Sequence, residues 1–274
     1  MEHISMDNFS SESIEKYIEQ FASNHPFPHI IIDNFLKIET AEKIISSFNI
    51  NKHWINYSLV NNFRKFALTN KKYMEKNCIE VFEELSSKEF VNLIRKVSGM
   101  KNIFLDPTLD GGGLHQTFTG GSLNMHTDYR SHTINKSWRR VLNIIIFFNK
   151  NWLDEYNGEL EFWDKKVKQK IKSITPIFNR CVIFKTDKIS FHGHPAKLNL
   201  PPNMSRKSIA AYYFVKEEEN LKLYPTKYVG RPNDSYFYRF LIFVDTFLNS
   251  IFSFLKRRNI VNDKFASKIL DLFK

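Results

Sequence analysis

The stretch from Ile103 to Phe214 constrains the fold most, because short apolar, aromatic-rich runs alternate there with turn residues. The runs are 141–148, 159–163, 181–184 and 208–214. Runs of this length and composition, separated by turn residues, are typical of β-strands in a sandwich or barrel. Five of the nine glycines fall between Gly111 and Gly121, which predicts tight turns or close backbone approach there rather than a regular element.

The residues before this stretch predict helices with a strand between the first two. Apolar residues recur at helical spacing behind candidate serine caps in 10–23, and two further helices are expected over 40–48 and 88–97, the last ending at Gly99. Residues 26–36 contain two prolines followed by a β-branched apolar run, which predicts a strand.

The strongly apolar segment 236–255 predicts an amphipathic helix. Its polar side chains repeat near helical spacing and form one stripe: Arg239, Thr246, Asn249, Ser250 and Ser253. Arg239 and Asp245 lie in the middle of the segment and disfavour a membrane span, whereas the basic run 256–258 suits an anionic surface. Three roles stay open: packing on the domain or at a homodimer interface, peripheral membrane contact through 236–258, and a span.

Pattern changes divide the chain into three segments. Residues 1–98 hold N-terminal helices and first strands packed on a barrel, residues 99–215 form the β core, and residues 216–274 form a linker and the C-terminal amphipathic helix. The expected class is α+β, mainly β.

Composition is that of a globular protein, with 42% hydrophobic and 25% charged residues in 274. Two cysteines exclude a disulfide framework, and no basic segment followed by an apolar stretch opens the chain. We expect a cytoplasmic protein, with the inner membrane surface as an alternative. The net charge of +11 fits nucleic acid, anionic lipid or an acidic substrate, but biased coding toward Lys, Asn, Ile and Phe also explains part of it without any function.

The tripeptide His126-Thr127-Asp128 is the first candidate for chemistry. Residues i and i+2 of a strand point to the same face, so the imidazole and the carboxylate face one point. His192 is the best candidate for a third ligand, with His194 as its rival. Two histidines and one carboxylate on one face of an octahedral ion suit non-haem Fe(II), because the opposite face stays open.

Arg206-Lys207-Ser208 follows 14 residues after His192 and opens an aromatic strand. A guanidinium beside a hydroxyl can hold the distal carboxylate of a 2-oxo diacid whose other end chelates the metal.

With these motifs in order, the sequence resembles the Fe(II)/2-oxoglutarate dioxygenases, and among them the prolyl 4-hydroxylase-like group. The similarity spans most of 26–214, from the Pro-Phe-Pro-His-Ile-Ile-Ile-Asp-Asn-Phe-Leu opening to the strand that ends Tyr-Tyr-Phe. It implies a double-stranded β-helix, or jelly-roll barrel, with helices on its outer face.

The resemblance also implies roles for single residues. His126, Asp128 and His192 would hold iron, and Arg206 would pair with the distal carboxylate of 2-oxoglutarate. Ser208, Gln116 and Asn143 fall where the family supplies further polar contacts to that co-substrate. Fe(II) is the expected cofactor, 2-oxoglutarate and O₂ the co-substrates, and ascorbate an optional reductant.

Two departures and two further positions qualify the resemblance. The segment between His192 and Arg206 carries an extra stretch, 198–202, and the family's usual tyrosine near Gln116 is missing. Tyr212 stands where the nucleic-acid demethylating branch has a second arginine, which disfavours a nucleic-acid partner. Asp128 keeps the carboxylate ligand, which by family analogy favours hydroxylation over halogenation.

The resulting functional prediction is a dioxygenase that hydroxylates an unactivated C–H bond and converts 2-oxoglutarate and O₂ to succinate and CO₂. A peptide or protein proline is the first expected substrate. A sugar, nucleotide-sugar, lipid-linked glycan or other small metabolite is the alternative, because the fold alone does not set the substrate. A non-catalytic jelly-roll binding protein is the alternative from another class.

Overall fold

The computed structural model of the protein describes residues 1–56, 60–258 and 260–261. The α-helices in this part are α1 (Ser11–Ser23), α2 (Ile38–Ile45), α3 (Lys76–Ser86), α4 (Lys88–Ser98) and α5 (Tyr236–Arg257). The strands are β1 (His29–Ile32), β2 (Ile55–Asn56), β3 (Asn62–Leu68), β4 (Phe104–Leu105), β5 (Gly113–Thr127), β6 (Trp138–Phe147), β7 (Leu160–Trp163), β8 (Lys170–Ile174), β9 (Cys181–Lys185), β10 (His192–His194), β11 (Ser205–Lys216) and β12 (Lys227–Tyr228). Short 3-10 helices cover Met6–Phe9, Lys71–Tyr73 and Asp154–Tyr156.

The strands form one curled antiparallel sheet in the order β1-β9-β6-β11-β5-β10-β7-β8. The long strand β5 connects the part of the sheet that ends in β11 to the part that begins with β10. Its residues 113–118 pair with β11, while Leu123 and His126 pair with β10. β3 and β12 also pair with β5, and β4 pairs with β11. The curled, mostly β architecture with flanking helices confirms the predicted jelly-roll class.

Glycines inside β5 allow this strand to lie close to its neighbours. Gly113 has a φ of +99°, and a methyl group there would collide with the carbonyl oxygen of Leu68. A Cβ on Gly121 would lie 2.8 Å from the carbonyl oxygen of Phe63. The predicted close backbone approach is therefore confirmed. The prediction that no regular element forms there is wrong, because Gly113, Gly120 and Gly121 are strand residues.

The N-terminal helices pack their apolar sides on the sheet. The side chain of Ser10 caps α1 by accepting a hydrogen bond from the backbone N–H of Ser13 at 3.1 Å. α4 ends at Gly99, which adopts the left-handed conformation expected of a helix C-terminus. α2 begins and ends two to three residues before the predicted 40–48, and α3 was not predicted.

The three sequence segments share one sheet. β1 and β3 come from residues 1–98 and pair with β9 and β5 of the core, while β12 comes from residues 216–274 and pairs with β5. The outer segments therefore supply strands to the sheet in addition to packing on it.

The C-terminal helix α5 confirms the predicted helix over 236–255. Ser235 caps it by accepting from the backbone N–H of Tyr238 at 3.2 Å. Asp245 is buried against the barrel and accepts a hydrogen bond from the backbone N–H of Asn61 at 2.8 Å. By length and composition alone, α5 is long and apolar enough to cross a bilayer.

The close approach at Gly113 yields a stability prediction. Gly113→Ala lowers the free energy of unfolding by about 2 to 4 kcal/mol, because the methyl group forces β5 away from Leu68 and the residue retains a positive φ. Gly99→Ala is the matched control, since Gly99 has a positive φ of +69° but open space around a Cβ, and it costs about 1 kcal/mol. Urea unfolding of both variants measures the difference. Equal losses would show that backbone conformation, rather than contact, explains Gly113.

Candidate metal centre

His126, Asp128 and His192 converge on one point. His126 lies near the end of β5 and Asp128 follows that strand by one residue, so both side chains leave the same face. His192 lies in the short strand β10 directly opposite His126 in the antiparallel register. One possible ligand atom from each of the three residues lies within 4.8 Å of the others. The predicted triad therefore forms a cluster that can hold a metal ion.

Backbone carbonyls orient both imidazoles. His126 Nδ1 lies 2.9 Å from the carbonyl oxygen of Asn124, and His192 Nδ1 lies 3.0 Å from that of Ser190. With Nδ1 donating, each Nε2 keeps its lone pair and faces Asp128, at 3.7 Å for His126 and 3.4 Å for His192. Burial lowers the pKa of His192 to about 4, so this ring is neutral at pH 7 and available as a ligand.

Arg140 and Asn143 hold the Asp128 carboxylate from one side. Arg140 Nη2 lies 3.0 Å from Asp128 Oδ2, and the Asn143 side-chain amide donates to the same oxygen at 2.7 Å. Arg140 Nε also donates to Asn143 Oδ1 at 2.8 Å, so the three side chains form a closed network. Both contacts fall on Oδ2, which leaves Oδ1 for a metal ion.

The charge of Arg140 keeps Asp128 ionised despite its burial. Burial by itself raises the pKa of Asp128, but Arg140 and the two histidines hold that pKa well below its ordinary value. The Arg140 guanidinium is itself buried and lies 3.3 Å from the ring centroid of Tyr212. Arg140 is a residue of this cluster that the sequence pattern did not separate from its partly exposed neighbour Arg139.

The triad opens into a cavity of about 540 Å³ lined by strands and by the inner side of α5. Arg206 and Ser208 from β11 and His194 from β10 also line it. The cavity is of the size that encloses small-molecule ligands.

Arg206 is a buried cation that forms no ion pair within the described part of the chain. Its Nε donates to the carbonyl oxygen of Gly158 at 2.7 Å, and its guanidinium carbon lies 4.8 Å from the ring centroid of Phe147. Burial lowers the pKa of Arg206 to about 9, although the negative charge of Glu159 acts in the opposite direction. A guanidinium desolvated in this way and lining a cavity favours an anionic ligand.

Gln116 does not reach the cavity. Its neighbours His115 and Thr117 line the cavity, so alternation along β5 turns Gln116 to the opposite face, where its amide donates to Ser205 Oγ at 2.9 Å. Gln116 therefore cannot make the co-substrate contact that the family resemblance implies. Asn143 does line the cavity, but its amide is directed at Asp128.

His194 is not part of the metal cluster, although it lines the same cavity. It follows His192 by two residues in β10, so both side chains face inward. Its Nδ1 is buried without a hydrogen-bond partner in the described part of the chain. The geometry favours His192 over His194 as the ligand.

Lys65 is a cavity residue that the sequence did not reveal. It lies in β3 opposite Thr117, which in turn lies opposite Arg206, so the three residues form one row across three strands. Burial lowers the pKa of Lys65 to about 8, so it still carries a charge at pH 7. Nothing in the sequence of 62–68 connects this strand to the barrel, because the pairing of β3 with β5 is long-range.

Comparisons with known proteins agree with this geometry. Residues 112–214 match the family model described as the 2OG-Fe(II) oxygenase superfamily. The chain is 26% identical over 198 residues to the prolyl 3-hydroxylase OGFOD1 of Mus musculus, covering 69% of this chain and 33% of that protein. The chain thus spans about a third of the length of this relative.

Two solved structures share the fold. A prolyl-4-hydroxylase of Pseudomonas putida superposes with a TM-score of 0.53 at 10% identity, over 75% of this chain and all of that one. HygX of Streptomyces hygroscopicus, solved with nickel, 2-oxoglutarate and hygromycin B bound, gives a TM-score of 0.51 at 8% identity, over 77% of this chain and 89% of that one.

The network around Asp128 predicts an effect on metal affinity. Asn143→Leu removes one hydrogen bond to Asp128 and one partner of Arg140, which weakens divalent-metal binding about 10- to 100-fold. Competitive titration with Mn²⁺ measures the affinity. Asn149→Leu is the control, because Asn149 is also buried but bonds the backbone of Pro176 and Lys207 away from the triad. An unchanged affinity in Asn143→Leu would contradict the role given to this network.

Proposed function

We propose that the protein belongs to the 2OG-Fe(II) oxygenase superfamily, whose family model residues 112–214 match, and that it is an Fe(II)- and 2-oxoglutarate-dependent dioxygenase. It hydroxylates an unactivated C–H bond and converts 2-oxoglutarate and O₂ to succinate and CO₂. The observation that carries the proposal is one cavity that contains a His-Asp-His cluster and a buried guanidinium with no ion-pair partner among the described residues.

The three ligands fit a ferrous ion. Two imidazole nitrogens and one carboxylate oxygen form the donor set suited to non-haem Fe(II), with further positions left for a chelating co-substrate and O₂. The bound iron supplies the redox chemistry, so the protein needs no nucleophile of its own. The role of Arg140 and Asn143 is to fix the orientation and the charge of Asp128.

The co-substrate is assigned to the part of the cavity that Arg206 lines. 2-Oxoglutarate carries two carboxylates, one of which chelates the metal together with the 2-oxo group. Arg206 binds the other, and Ser208, two residues along the same strand face, offers a hydroxyl to it. Lys65 adds a second positive charge to this wall of the cavity. Ile145 and Leu160 also line the cavity and exclude water from it.

A peptidyl proline is the substrate that we favour. The mouse relative is a prolyl 3-hydroxylase and the Pseudomonas putida structure is a prolyl-4-hydroxylase. A small molecule is the second candidate, because HygX binds hygromycin B on the same fold. A succinate-release screen over proline-containing peptides, nucleotide-sugars and aminoglycosides separates the two classes. Release stimulated by peptides alone supports the first candidate.

We propose that the protein works in the reducing environment of the cytoplasm. It is supported by the two cysteines, Cys78 and Cys181, which are both buried as free thiols.

Succinate formation tests the assigned residues. His126→Ala abolishes it, because the cluster loses one of its three ligands. Arg206→Met raises the KM for 2-oxoglutarate at least about tenfold, since the distal carboxylate loses its charged partner.

Arg139→Met is the control for Arg206→Met. Arg139 also lies on a barrel strand, but it is partly exposed and paired with Glu217. Its replacement leaves the KM for 2-oxoglutarate unchanged. Turnover retained in His126→Ala, or equal KM values in the two arginine variants, would refute the assignment.

A further inference from the structure

The outer side of α5 is an apolar surface of unusual extent. Every exposed position of this helix carries an aromatic or aliphatic side chain. We call these residues the apolar face of α5: Tyr236, Phe237, Phe240, Phe243, Phe247, Leu248, Ile251 and Phe254. Phe237 is 71% exposed and Phe243 is 66% exposed, so large rings stand in solvent along the helix. Continuous apolar patches of this kind on soluble proteins mark interaction sites.

The orientation of α5 is fixed by polar contacts on its other side. Asp245 accepts from the backbone N–H of Asn61, and Tyr238 donates to Asn124 Oδ1 at 3.2 Å. Near the end of the helix, Arg257 donates to the carbonyl oxygen of Leu221 at 2.6 Å. A surface helix in water turns its apolar side to the core. In α5 the barrel side is mixed, with Ile242 buried beside Asp245, whereas the exposed side is wholly apolar. The apolar face therefore needs an apolar environment outside the domain.

We propose that the apolar face of α5 inserts into the surface of an anionic lipid bilayer, with the helix lying in the plane of the interface. Helices that bind membranes in this way combine an aromatic and aliphatic face with basic residues. Arg258 follows the last residue of α5, and this exposed side chain lies over the ring of Phe254 at the edge of the face. Lys256 and Arg257 precede it and bond to Asp110 and Leu221 of the domain. The net charge of +11 adds long-range attraction to anionic lipid.

The net charge of the chain and the polar contacts that hold α5 on the barrel favour a lipid surface over a second copy of the chain or a transmembrane orientation. Two copies meeting through this face would bring together two chains of charge +11, which opposes their association. A transmembrane orientation would require α5 to leave the barrel and carry the Asp245 carboxylate into hydrocarbon. Interfacial insertion keeps the polar contacts of α5 and covers its apolar face. The opposite side of the same helix lines the metal cavity through Asn249, Phe252 and Ser253.

Vesicle sedimentation of the full chain tests the proposal without relying on catalysis. Wild-type protein sediments with phosphatidylcholine vesicles that contain about a third phosphatidylglycerol, and less with phosphatidylcholine alone. The triple variant Phe240→Ser, Phe243→Ser, Phe247→Ser lowers the partition coefficient at least about tenfold. The control variant Ile38→Ser, Leu153→Ser, Ile171→Ser changes exposed apolar residues elsewhere and binds as wild type. Circular dichroism verifies that both variants are folded.

A fluorescent label reports insertion in a chain that keeps most of the face. Both native cysteines are fully buried, so a thiol reagent labels Phe243→Cys selectively. An environment-sensitive dye at position 243 brightens with anionic vesicles, whereas the same dye in Ile171→Cys does not. Equal vesicle binding of the two triple variants, no binding by wild type, or no brightening at 243 overturns the proposal. So does a wild-type dimer in sedimentation velocity that the Phe triple variant loses, because a second copy then occupies the face.

Discussion

A buried carboxylate that stays charged is the constraint on which the site depends. Asp128 is 11% exposed, and burial of an unpaired carboxylate favours its neutral form. Arg140 and Asn143 reverse this preference through contacts with one carboxylate oxygen. Arg140 is in turn buried against the rings of Tyr212 and Tyr129. The residues around this charge come from three strand regions: the end of β5, β6 and β11. The curled sheet must therefore form before Asp128 can be buried in its charged form.

The positive charges of the cavity complement this arrangement. Arg140 is matched by Asp128, whereas Arg206 has no carboxylate partner among the residues that the structure describes. Such an excess of buried positive charge is costly unless a ligand supplies the missing anion. A dianion that reaches from the metal to Arg206 satisfies that requirement, which links the metal cluster to the choice of co-substrate. Gly158 leaves room for the Arg206 side chain, because a Cβ at position 158 would collide with Leu198 and lie 3.2 Å from Arg206 Cδ.

The sequence predicted those parts of the site that rest on local spacing. His126 and Asp128 share a strand face, and the run of apolar segments indicated the β fold that brings His192 to them. What it missed depends on pairing between distant strands. Lys65 lines the cavity only because β3 pairs with β5. Gln116 does not line it, because the alternation of side chains along β5 turns Gln116 to the opposite face of the strand. Arg140 and Arg139 are adjacent in sequence, yet only the fold distinguishes the buried Arg140 from the partly exposed Arg139.

Anaerobic titration of the full chain with Fe(II) and 2-oxoglutarate tests the central claim most directly. A ferrous ion held by His126, Asp128 and His192 and chelated by the 2-oxo acid gives a visible metal-to-ligand charge-transfer band. We predict that band in the wild-type protein, its loss in Asp128→Ala, and a higher 2-oxoglutarate requirement in Arg206→Met. Absence of the band from folded wild-type protein, or its persistence in Asp128→Ala, would contradict the account.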